Sequence, residues 1–137
     1  NPSNGVWVSA DRHTISFGLG QGNIDSDRWL RYLDGPSNII GYQVPRKATI
    51  KSVNIKYNSP STCKIHIKKD DKILVGNTLD IHVIDMSLVS SYFDDGLNID
   101  LDQGDILRVF LDLRYWVDPE QTKVDYPVIG IDLVWRR

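Results

Sequence analysis

Apolar and polar residues alternate one for one along most of this chain, and each run stops after a short distance at a cluster of turn-forming residues. A period of two puts successive side chains on opposite faces of a strand, so such runs bury one face and wet the other only as β-structure. Val53, Ile55 and Tyr57 alternate with Ser52, Asn54 and Lys56, and Cys63, Ile65 and Ile67 alternate with Lys64, His66 and Lys68. Asn58-Ser59-Pro60-Ser61 lies between them and predicts a hairpin joining the two runs. Lys69-Asp70-Asp71-Lys72 predicts a second tight turn, leading into a strand at Ile73-Leu74-Val75 that ends at Gly76-Asn77. Leu79, Ile81 and Val83 then alternate with Asp80 and His82, which assigns outward positions to both His66 and His82.

Asp94-Asp95-Gly96 predicts a turn, and Leu97, Ile99 and Leu101 alternate up to the break at Asp102-Gln103-Gly104-Asp105. Leu107, Val109, Leu111 and Leu113 share one face of the next strand, and Ile129, Ile131, Leu133 and Trp135 share one face of the last. The first third is less regular, with strands expected at residues 6–10, 13–17, 28–33 and 39–44. Strong helix formers are nearly missing: Ala10 and Ala48 are the only alanines, Glu120 the only glutamate and Met86 the only methionine. Branched residues and the turn formers Asp, Asn, Ser and Gly take their place, so the expected fold is all-β. Many short strands with crossing turns fit a two-sheet antiparallel sandwich of the jelly-roll kind. At 137 residues, with no long featureless linker, residues 1–137 are expected to form a single domain. A start at Asn1 suggests the C-terminal piece of a longer chain.

Phe110 and Val134 fall on the face that alternation assigns to solvent, each in a strand already apolar on its other side. Strands apolar on both faces are usually covered, and a neighbouring subunit is the simplest cover for a small sandwich. These two residues are therefore the expected oligomer interface.

The chemistry of an enzyme is hard to find. One cysteine and three histidines without ligand spacing do not make a zinc site, and Cys63 reads as a small buried apolar residue. No serine sits in a glycine-flanked elbow, and Gly18-Leu19-Gly20-Gln21-Gly22 lacks the lysine and helix of a phosphate loop. Asp70-Asp71, Asp94-Asp95 and the Asp100, Asp102, Asp105 group all stand at turns, where aspartate bonds to backbone. Calcium remains an alternative on Asp25 and Asp27, or on Asp102 and Asp105 with backbone carbonyls, although no complete calcium loop is present. No cofactor and no catalytic residue is expected. A formal net charge of -2 gives no broad basic field for nucleic acid, and the apolar runs are too short for a membrane-spanning helix.

Aromatic residues are the remaining candidates. Trp135 is in phase with the core, Trp7 and Trp29 are undecided, and Tyr115, Trp116 and Tyr126 lie in or beside the long irregular segment 115–126. With Arg114 and Asp118 for polar contacts, these rings form a candidate ligand surface, since ring faces stack on the C–H patches of sugars.

Several segments, in order along the chain, resemble a β-sandwich found at the C-termini of phage tail fibres and related virion proteins. They are Arg31-Tyr32-Leu33, then Gly41-Tyr42-Gln43-Val44-Pro45-Arg46-Lys47-Ala48-Thr49-Ile50, and Lys64-Ile65-His66-Ile67-Lys68-Lys69-Asp70 as a strand into a turn. Leu101-Asp102-Gln103-Gly104-Asp105-Ile106-Leu107-Arg108-Val109 resembles an element also seen in trimeric jelly rolls of the C1q and tumour-necrosis-factor type. The stretch from Pro127 to Arg136 is similar to the family's closing strand. The resemblance implies a homotrimeric, non-enzymatic fibre head in a phage tail or capsid fibre of the virion, in contact with other virion proteins and with a host-surface glycan or protein. A carbohydrate-binding module of a secreted or cell-surface enzyme is the alternative. The segment 115–126 and the wealth of aspartate depart from the family pattern.

Overall fold

The computed structural model describes residues 11–113 and 123–136. Nine strands follow one another, and no helix occurs among the described residues: β1 Arg12–Gly18, β2 Arg28–Trp29, β3 Arg31–Tyr32, β4 Tyr42–Gln43, β5 Ala48–Asp70, β6 Thr78–Asp94, β7 Ile99–Leu101, β8 Ile106–Asp112 and β9 Val128–Trp135. All pairings are antiparallel. The expected strand at residues 6–10, with Trp7, lies outside the described residues.

β5 organises the whole sandwich. Its first half pairs with β9 from Ala48 to Lys56, and its second half pairs with β8 from Lys64 to Lys69. β9 continues to β1 and then β3, while β8 carries β2 and β4 on its other edge. One 23-residue strand thus joins both flanks of a continuous nine-stranded antiparallel sheet, which wraps the core with barrel-like curvature. The hairpin expected at residues 58–61 is not there. Val53–Tyr57 and Cys63–Ile67 do not pair with each other, because Asn58-Ser59-Pro60 makes a corner that passes the chain from the half paired with β9 to the half paired with β8. The β5–β6 register slips on both sides of Ser61, as a bulge bends a strand, and Pro60 has no N–H to lose from a ladder. Tyr57 Oη donates to the Ser61 carbonyl at 3.1 Å and fastens the corner from inside. The odd-numbered residues Val53, Ile55, Tyr57, Ser61, Cys63, Ile65 and Ile67 all stay buried across it.

The reversal comes later. Residues 71–77 form the turn, with the Asp71 N–H bonded to the Asn77 carbonyl at 2.9 Å and Gly76 at φ 92°. Ile73-Leu74-Val75 is therefore the tip of a loop rather than a strand, and Ile73 and Val75 are 88% and 94% exposed. The phase expected for Leu79, Ile81 and Val83 also fails. A register shift opposite Ile67 and Lys68 inserts Ile81 as an extra residue in β6, and one extra residue exchanges the faces. Ile84 and Met86 enter the core, Val83 is exposed, and His82 turns inward opposite Ile67 with its Nε2 buried and unbonded.

Elsewhere alternation holds. Leu107, Val109 and Leu111 of β8, Ile129, Ile131 and Leu133 of β9, and Ile15 and Phe17 of β1 are fully buried. Leu30, also fully buried, is the point where the chain leaves β8 at Trp29 and joins β1 at Arg31, which splits the single strand expected at 28–33 in two. Trp135 packs at the edge of the core, stacked on His13 with Arg46 over its ring.

Candidate functional site

β1 starts near Ala48 and Trp135 and finishes at Gly18, beside Val128 and Lys56, at the opposite end of the sandwich. A hollow of about 320 Å³ opens at that finishing end, bordered by Leu33, Asp34, Tyr126 and Val128 over a floor at Ser16 and Gly18 to Gly20. The floor is made by missing side chains. A β-carbon on Gly18 would lie 3.6 Å from that of Asp34, one on Gly20 would lie 2.7 Å from Asp34 Oδ2, and one on Gly22 would press on the Tyr126 ring at 3.3 Å. Asp34 and Tyr126 occupy the space that the glycines leave, and Leu19 between them is buried.

The rim is held in an unusual backbone conformation. Leu33, Asp34 and Tyr126 all have positive φ, at 54°, 54° and 52°. A side chain in the left-handed region meets steric resistance, about 1–2 kcal/mol per residue. Hydrogen bonds keep it there: Leu33 N–H donates to the Ser16 carbonyl, Asp34 N–H to the Arg31 carbonyl and Tyr126 N–H to the Gln21 carbonyl. Asp34 Oδ1 accepts the Gly20 N–H at 2.7 Å. Behind the rim, Asn23 at φ 51° donates its N–H to Asp125. The result is an apolar, partly aromatic hollow with one carboxylate at its edge, and Leu33, Tyr126 and Val128 are 64%, 52% and 48% exposed in it.

Of the five residues expected to form a ligand surface, Arg114, Tyr115, Trp116 and Asp118 lie outside the described residues, and Tyr126 stands in the hollow. Leu33, Asp34 and Val128 were not expected there. Glycine at every second position from 18 to 22 was the available signal, since it marks positions where another group must approach the backbone.

The acidic turns are structural. Gly96 N–H donates to Asp94 Oδ1, Ile73 N–H to Asp71 Oδ1, and Asp102 N–H to Asp105 Oδ2. Asp105 is buried. Burial pushes its carboxyl up, but the Asp102 N–H and the Lys72 and Lys69 ammonium groups outweigh that and hold it below the ordinary range. The Lys72 Nζ stands 3.0 Å from Asp105 Oδ1 and 3.9 Å from Asp102 Oδ2, so a lysine ammonium pairs with both carboxylates. Asp27 accepts the Leu113 N–H, and among the described residues no three His, Cys, Asp or Glu side chains gather to hold a metal. Burial pushes the Cys63 thiol up to about 12, despite its contact with the Tyr57 hydroxyl.

Phe110 and Val134 lie on β8 and β9, which pair with different halves of β5. Phe110 is half-buried in a cross-strand row on the outward face of β8, with Trp29 edge-on at 5.0 Å on one side and His66 at 6.1 Å on the other. His66 bridges Asp80 and Asp112 at 3.1 and 3.2 Å, and Lys68 also reaches Asp80. Val134 lies across from Arg12 on the outward face of the β1–β9–β5 sheet. That face is sparser. Ser16, Gly130, Asn54 and Phe93 form a row across it, with Asn54 folded over the glycine and Phe93 65% exposed.

No family model and no curated protein sequence matches the chain. Among solved structures, the globular domain of zebrafish complement 1qA is similar over 90% of this chain and 97% of its own, with a TM-score of 0.50 and 12% identity. The fold is a C1q-like jelly roll. The coat protein of tobacco streak virus is similar over 90% of this chain and 86% of its own, at 9% identity and a TM-score of 0.40.

Proposed function

We propose that this chain is a non-enzymatic assembly and recognition domain, the homotrimeric head of a phage tail or capsid fibre, placed in the virion to meet a host-surface glycan or protein. The observation that carries it is the outward face of the β1–β9–β5 sheet. Phe93 stands 65% exposed there, in a row with Asn54 and the small residues Gly130 and Ser16, on a jelly roll of C1q type. A second copy packed on this face would cover apolar area that water now touches, and Val134 would lie within the contact. Phe110, with Trp29 and His66 on either side, already has part of its cover within the chain. Three copies would present three end hollows side by side, so weak contacts would add through avidity.

Light scattering over a dilution series tests the assembly. The expected mass is three times the 15.6 kDa chain, falling to one copy in Phe93→Glu, which puts a charge on the face. A wild-type monomer at all concentrations overturns it. The end hollow also suits a carbohydrate-binding module attached to an enzyme, which a monomer with measurable glycan affinity would favour.

A further inference from the structure

Glycan contact is part of the function proposed above, and the end hollow gives it a place and a chemistry. We propose that the hollow between Leu33, Asp34, Tyr126 and Val128 binds a single uncharged pyranose, the exposed end of a glycan.

Its dimensions suit one ring: about 320 Å³, open on one side, near the lower bound of small-molecule sites, which run from roughly 300 Å³ upward. Its lining has the two components a pyranose needs. The Tyr126 ring is backed by Gly22 and half-exposed, and with Leu33 and Val128 it offers an apolar surface to the C–H face of the sugar. Asp34 supplies the polar component. Its Oδ1 is fixed by the Gly20 N–H, and among the described residues no donor reaches Oδ2, which leaves an oriented acceptor for sugar hydroxyls.

Charge narrows the ligand further. Among the described residues no lysine or arginine lines the hollow, so a uronate, a sialylated end or a phosphate would meet the Asp34 carboxylate unpaired. An extended peptide is disfavoured for a different reason. The backbone groups it would pair with are engaged, the Ser16 carbonyl by Leu33, the Gln21 carbonyl by Tyr126 and the Pro127 carbonyl by Leu19. The backbone conformation points the same way. Three of the five non-glycine residues with positive φ among the described residues border this one hollow, and strain gathered at one place is characteristic of ligand sites.

The test is methyl NMR on the intact 137-residue chain, titrated with methyl glycosides of glucose, galactose, mannose and N-acetylglucosamine, and with glucuronate. At least one neutral glycoside is expected to move the methyl signals of Leu33 and Val128, and glucuronate is expected to leave them in place. Tyr126→Ala and Asp34→Asn should each weaken binding about tenfold, given the usual worth of ring stacking and of a hydrogen bond to a charged group. Their fold is checked by the unchanged signals of core methyls such as Ile15 and Ile131. Four results overturn the site: no neutral glycoside moves those methyls in the folded protein, glucuronate binds as well, a peptide ligand alone moves them, or binding survives both substitutions. Light scattering on the same samples separates this inference from the assembly. A trimer without shifts overturns the sugar site alone, and shifts on a monomer uphold the site while overturning the fibre-head assembly.

Discussion

The two ends of the sandwich use the same residue types to opposite purposes. At the end near Ala48, carboxylates meet cations: Asp105 meets Lys69 and Lys72, and Asp70 receives two hydrogen bonds from Arg108. At the Gly18 end, Asp34 and Asp125 accept the backbone N–H groups of Gly20 and Asn23, and Asp34 and Asn23 themselves hold the left-handed conformation. The first arrangement closes an end by neutralising charge. The second keeps a hollow open by fixing backbone, and leaves a carboxylate and three apolar side chains facing water. An aspartate-rich surface is thus two devices, one that stabilises the fold and one that stores strain beside a cavity.

The largest effect is expected at the closed end. Asp105→Ala leaves the Asp102 N–H and two lysines without their buried partner and should cost about 2–3 kcal/mol, read as a lower urea midpoint. The Asp105 carboxyl is held below its unfolded-state value, so its contribution is fully present above that value, about 3.9, and fades as pH falls through the folded one. Wild-type stability should therefore drop below about pH 4, and Asp105→Asn should flatten that dependence. A wild-type midpoint unchanged between neutral pH and pH 3 would mean that the closed end is not held by charge.

Smaller and of opposite sign is Leu33→Gly at the open end. Relief of one left-handed side chain should raise stability by about 1 kcal/mol, because Leu33 is too exposed to lose much packing. The same change should weaken any ligand that rests on Leu33, which is the trade between stability and function expected of a strained site. If Leu33→Gly destabilises the protein, the rim is not strained and the contrast between the ends weakens. The smallest effect belongs to the loop tip. Val75→Ser, at 94% exposure, should change thermal stability by no more than about 0.5 kcal/mol and leave the sugar-induced methyl shifts unchanged.

Much of the fold is legible in the order of residues. The phases of β1, β5, β8 and β9 follow from alternation, because each of these strands buries one face and a period of two assigns that face unambiguously. β6 is different. One inserted residue at Ile81 exchanges its faces, and nothing in Leu79-Asp80-Ile81-His82-Val83 marks the insertion, since the residues on either side read as an unbroken alternation. The corner at Asn58-Ser59-Pro60 has the composition of a hairpin turn, and only the partners available to each half of β5 make it a passage from β9 to β8.

The candidate site divides in the same way. Gly18, Gly20 and Gly22 are visible as a pattern, and Tyr126 as an aromatic residue beside a proline. Their meeting with Asp34 joins residues nearly a hundred positions apart, and requires the antiparallel pairing of β1 with both β3 and β9. Sequence alone determined the all-β class, the core residues of the regular strands and the absence of familiar catalytic motifs, because local periodicity and turn chemistry act over a few residues. Tertiary structure decided which strands pair, that Phe110 and Val134 stand on strands bound to different halves of β5, and that a carboxylate and a tyrosine stand together over three glycines, because these depend on pairings between distant segments that no local pattern encodes.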